Sequence, residues 1–172
     1  MNRKAGRTQD CSPREAMTRL RQAELFLEVA ELALSEEPGE HATVAVGNAV
    51  LAAITAADAI CCASAGVRYR GQDHRRAADY LAEVTGNRAL AGLLRDVVDL
   101  KDASHYGLTN LAGRQARSAL RKAEQIVAAA RDQVRSTTQT NAEARLAIHG
   151  TGAGRGTMLG NSRSARGRAV SS

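Results

Sequence analysis

The stretch DLKDASHYGL, Asp99 to Leu108, gathers Lys101, His105, Tyr106 and two aspartates in a chain otherwise rich in alanine. Histidine transfers protons near neutral pH, and a neighbouring cation can stabilise charge that develops in a transition state. A second pairing of this kind is Arg68 with His74. His41 falls at a helix start and His149 in the C-terminal segment, so His105 and His74 are the histidines to weigh for acid–base work. The opening stretch reads in three ways: as a catalytic cluster, as a family fingerprint without chemistry, or as the polar side of a helix end.

The elements that must position these residues are helical. In CSPREAM, Ser12 is placed to cap a first helix, Pro13 to take its first position, and Glu15 to close a capping box. Ala16, Leu20, Ala23, Leu27, Ala30 and Leu34 follow as one seam, and EEPGE ends the helix. A second helix over about 40–65 is small and apolar nearly all round, as suits the most enclosed member of a bundle, with Gly66 behind it. Its lone interior charge, Asp58, requires a basic or hydroxyl partner from a neighbouring helix.

Asp73 reads as the cap of a short helix that Gly86 and Asn87 stop. A fourth helix is expected over about 88–105, with Leu90, Leu93, Val97, Leu100 and Ser104 as its seam. On that helix Lys101 and His105 continue the Leu94–Val98 row at the edge of the buried face. Asp102 and Tyr106 point the other way, beside Arg95 and Asp99 as an i,i+4 pair. His105 therefore reads first as a half-buried structural histidine. A fifth helix is expected over about 110–135, with Arg114, Arg117, Arg121 and Arg131 on a solvated outer face.

Composition sets the class. Aromatic residues make up 2% of the chain, too few for the core of a β-sandwich or barrel, and only two prolines interrupt 172 residues. The expected fold is all-α: an antiparallel up-and-down bundle of four long or medium helices plus one short helix. The expected division is a flexible arm at 1–11, the bundle at 12–135, and a basic, Gly/Ser/Arg-rich disordered tail at 136–172. In that tail Arg145, Arg155, Arg163, Arg166 and Arg168 face only Glu143, so most of the net charge of +6 lies outside the body.

Cys11, Cys61 and Cys62 are too few and too awkwardly placed for a disulfide framework, so buried reduced thiols and a cytoplasmic location are expected. The four histidines have no zinc spacing, and GTGAGRG lacks the preceding strand and closing lysine of a P-loop. No metal and no cofactor is expected. The N-terminus has no apolar signal core, and the apolar run from Ala49 stops at Asp58, so no membrane span is expected either.

The helix order long, long, short, medium, long resembles that of the HEPN superfamily, small nucleotide- and RNA-associated bundles. AVLAAITAADAICCASAGVRYRGQDHRRAADYL is similar to the family's second helix and the loop after it. LLRDVVDLKDASHYG is similar to the helix that many members close with a basic residue, a spacer and ADY or HxY. The match covers roughly 14–134.

For catalytic members the resemblance implies a metal-independent endoribonuclease whose arginine and histidine, four to six residues apart, face their copies across a dimer interface. Here the window upstream of His105 holds Val98, Asp99 and Leu100 instead of arginine; Lys101 is too near and Arg95 too far. Arg68 and His74 meet the spacing, but with 21 arginines chance supplies on the order of one such match. They also fall between helices two and three, where a helix start disfavours a charged histidine.

The expected function is therefore a non-catalytic, homodimeric HEPN-like binding module. It would engage RNA or a partner protein, for example a nucleotidyltransferase-type antitoxin in a toxin–antitoxin or defence setting. The alternatives are a divergent HEPN ribonuclease toxin and an unrelated helical adaptor.

Overall fold

The computed structural model describes residues 8–35, 40–71, 73–100 and 113–150. Among them are five helices: α1 (Pro13–Ser35), α2 (Glu40–Ala65), α3 (His74–Thr85), α4 (Arg88–Val98) and α5 (Gly113–Gly150). Two strands of three residues each, β1 (Thr8–Asp10) and β2 (Val67–Tyr69), pair antiparallel with Gln9 opposite Arg68. The chain is mostly helical, as its alanine-rich, proline-poor composition requires.

The ends of the helices follow from local chemistry. Ser12 and Glu15 form the reciprocal box: Glu15 N donates to Ser12 Oγ at 3.2 Å, and Ser12 N donates to Glu15 Oε2 at 2.7 Å. Those contacts hold the Glu15 carboxyl below its usual value. Asp73 caps α3 by accepting from the amides of Arg75 and Arg76, and Asn87 caps α4 through Leu90 N at 2.9 Å. Gly66 and Gly86 carry α2 and α3 into their following segments with φ of 65° and 69°, a backbone that suits glycine.

Helix α2 is the centre. Ala45, Ala49, Ala52, Ala53, Ala56 and Ala59 are buried, and Val46 and Val50 are the largest fully enclosed side chains on it. Around them close Leu81 of α3, Leu94 and Val97 of α4, and Ile126 and Val127 of α5. The small side chains let neighbouring helices approach closely. α2 is the one described helix long and apolar enough to cross a membrane, but most of its apolar stretch is packed inside the protein, as a core helix is.

Four expectations are corrected. The arm at 1–11 is not free throughout: Thr8–Asp10 pair with β2, Cys11 N donates to Gly66 O at 2.8 Å, and Cys11 is disulfide-bonded to Cys62. Reduced thiols were expected for all three cysteines, and only Cys61 is free. A cytoplasmic location rested on those thiols and loses that support. The helical body does not end at 135, because α5 runs to Gly150. Finally, α4 closes at Val98, and Leu100 N reaches Val97 O in a final tight turn. The segments 1–7, 101–112 and 151–172 lie outside the described residues.

Candidate partner-binding groove

The residues singled out from sequence do not come together as a site. His105, Lys101 and Tyr106 lie outside the described residues, and the helical projection that placed the first two on a buried row stops short of them at Val98. The Arg95–Asp99 side-chain pair does not form. Arg95 binds Asp79 of α3, and Asp99 accepts from Arg75 Nε at 3.0 Å, so both residues tie α4 to α3. His74 is the first residue of α3.

Arg68 is committed to structure. Its Nη2 donates to Gln9 Oε1 at 2.8 Å across the β-ladder, and its Nη1 lies 3.4 Å from Asp58 Oδ2. Arg19 of α1 approaches the same carboxylate at 3.9 Å. Asp58 thus has the basic partner that its place on α2 demands. Burial pushes its carboxyl above the usual value, and the two guanidinium groups oppose that rise. One turn away, burial first and Asp58 second push the Cys61 thiol up to about 12, which leaves it protonated and inert at neutral pH. The cluster welds β1, β2, α1 and α2 together and has no group left over for substrate.

A groove elsewhere has better binding chemistry. It runs between the N-terminal half of α1 and the C-terminal part of α5. Leu20 and Glu24 face Val134 and Arg131 at its inner end; Pro13, Arg14 and Met17 face Ala142, Arg145, Leu146 and Ile148 at its outer end. The two helices run in opposite directions here, with Arg131 Nε donating to Glu24 Oε1 at 2.6 Å. The inner section has a volume of about 560 Å³ and the outer section about 860 Å³.

The walls have distinct origins. Thr137 Oγ1 donates to Ala63 O at 3.2 Å, fixing α5 against the end of α2, and the helix then continues beyond the core. Every side chain described from Thr138 to Ile148 is exposed, and Leu146 and Ile148 are 73% and 72% exposed. Met17, across the groove, is 54% exposed. Arg14, Arg21, Arg135 and Arg145 line the groove and form no ion pair among the described residues. The arrangement is an apolar floor with a cationic rim. Its described lining contains no aromatic ring.

Sequence reasoning missed this groove because it treated 136–150 as tail. The signal was present: Ile148 stands fourteen residues after Val134, four turns along the same seam. Among the described residues no group of histidine, cysteine and carboxylate side chains could hold a metal ion. The chain matches no protein-family model and no curated protein.

Proposed function

We propose that this protein is a non-catalytic helical binding module, an HEPN-like up-and-down bundle, that receives an acidic amphipathic helix from a partner protein. The observation that carries this reading is the α1–α5 groove, where apolar side chains lie between arginines without ion-pair partners. A helix in such a groove buries one apolar stripe and sets its flanking carboxylates against the rim. Single-stranded RNA would be held by base stacking on aromatic rings, and the groove's described lining has none. The described helices are 23, 26, 12, 11 and 38 residues long; two long helices first and a long one last agree with the order expected from the resemblance, while the fourth helix is short where a medium one was expected. The catalytic alternative is weakened because Arg68, the one arginine at the required spacing from a histidine, is bound to Asp58 and Gln9.

The test is a titration of the isotope-labelled full chain at about 150 mM salt, where exposed charges are screened beyond about 8 Å. The probes are a synthetic helical peptide with leucines on one face and glutamates beside them, and oligouridine. The peptide should shift the amide signals of Met17, Arg135 and Thr138. Tighter binding of oligouridine would make RNA, not a helix, the ligand of the module, and its cleavage in EDTA, lost on His105→Ala or His74→Ala, would replace this reading with the ribonuclease one.

A further inference from the structure

The outward stripe of α1 is written twice, in opposite senses. Arg14, Met17, Arg21, Leu25, Glu28 and Leu32 recur at intervals of three and four and are all exposed. At 100° per residue they fall on one face of the helix. Met17, Leu25 and Leu32, with Val29 beside them, are between 46% and 66% exposed, and they account for half of the exposed large apolar residues described. The N-terminal half of the stripe is basic through Arg14 and Arg21. The C-terminal half is acidic through Glu28, with Glu31 alongside and exposed.

Four residues of this stripe are complementary to one another when it is reversed, with Leu25 then meeting Glu24 at the centre and Arg14 meeting Ser35 at each end. Two copies of α1 laid antiparallel about a two-fold axis between Glu24 and Leu25 set Met17 of each copy against Leu32 of the other. The same register sets Arg21 against Glu28, twice. The basic groove beside Met17 and Arg21 then receives the acidic, leucine-bearing half of the second copy's α1. We infer that the helix occupying the groove comes from a second copy of this chain, so that the protein is an isologous dimer through the outer face of α1. This inference rests on the groove reading above and names its partner. Charge complementarity chooses the occupant. The groove is lined by five arginines against Glu24, and the C-terminal half of α1 is an acidic amphipathic helix that every copy carries.

The register makes a charge-swap experiment decisive. Sedimentation velocity on the full chain, from about 1 to 200 μM, should report twice the 18.2 kDa chain mass at the upper concentrations. Arg21→Glu places a carboxylate opposite Glu28 at both ends of the interface and should weaken the dimer at least tenfold. Glu28→Arg should do the same, and combining the two substitutions should restore association. Both residues are exposed, so thermal melts of the single variants should match the parent; Leu32→Gln supplies a second, uncharged disruption. A chain that stays monomeric throughout, or a dimer indifferent to all three substitutions, overturns the inference. If the chain is monomeric yet the acidic peptide still shifts Met17 and Arg135, the groove reading stands and only the second copy is lost as its partner. If neither association occurs, both fall.

Discussion

Cys11 and Cys62, 51 residues apart in sequence, stand with their Cα atoms 5.5 Å apart and are joined by a disulfide that ties the arm two residues before α1 to the last turn of α2. It closes a loop around the whole α1–α2 hairpin. The N-terminal strand it secures otherwise holds on through a ladder of three residues, the Cys11–Gly66 bond and the Arg68–Gln9 bond. A two-stranded ribbon of that size is marginal by itself.

Chemical counting tests the pairing directly. Unreduced protein in denaturant should show one titratable thiol, from Cys61, and three after a dithiol reductant. In the native state Cys61 should resist alkylation, because it is buried and its thiol is held near 12. Cys11→Ser should cost about 2–4 kcal/mol by the usual yield of a disulfide closing a loop of this length, read from denaturant unfolding. Three thiols before reduction would refute the bond.

The cysteine case shows where sequence reading stops. Cys61 and Cys62 are neighbours on a helix and so point about 100° apart, which lets one face the arm while the other stays in the core. Nothing local says which, and the partner lies beyond a whole helix. What was legible was local: the Ser12–Glu15 box, the Asp73 cap, the glycine exits at Gly66 and Gly86, and the need of Asp58 for a basic partner. What was not legible required two distant segments together. The β1–β2 ladder joins residues nearly sixty positions apart, and the groove needs α5 to continue past Ser136, where the dense apolar periodicity lapses and NAEARLAIHG alone suggests one or two helical turns at most.

That continuation gives a second prediction. Removing everything after Ser136 deletes the Thr137–Ala63 hydrogen bond and the outer part of the α5 wall, from Thr138 onward, while leaving Arg131, Val134, Arg135 and the core in place. The truncated chain should fold, melt a few degrees lower, as loss of roughly 1 kcal/mol implies for a domain this size, and lose the response to the acidic peptide. Full peptide binding by that truncation would place the site elsewhere.

Gly86 offers a cleaner backbone test. Its φ of 69° closes α3, and a Cβ there would meet nothing within 4 Å. Any loss on Gly86→Ala therefore reports conformation alone. The left-handed region costs a residue with a Cβ about 1–2 kcal/mol, so thermal unfolding of Gly86→Ala should show that loss. Gly86→Asn should show less, since asparagine tolerates this conformation better. Equal stability of all three would mean that the turn relaxes to another geometry.

Asp58 makes the last prediction, in which the sign runs opposite to the usual carboxylate. Burial raises its carboxyl above the ordinary 3.8, so the native state holds that proton more tightly than the unfolded chain does. The contribution of this group is therefore fully present below 3.8 and declines as pH rises through the interval up to the raised native value. Above that interval the ionised form persists because Arg68 and Arg19 face it. Asp58→Asn should remove the decline, seen as a flatter pH dependence of the unfolding free energy above 3.8 in parallel denaturant melts. At pH 7, Asp58→Ala strands Arg68, whose side chain is only 18% exposed. It should cost about 1–3 kcal/mol, the range for a buried group left without its partner. Combining Asp58→Ala with Arg68→Ala should cost less than the two separate losses, because the second change removes the stranded charge that the first creates. Strict additivity, or a neutral Asp58→Ala, would mean that the carboxylate faces water and holds nothing.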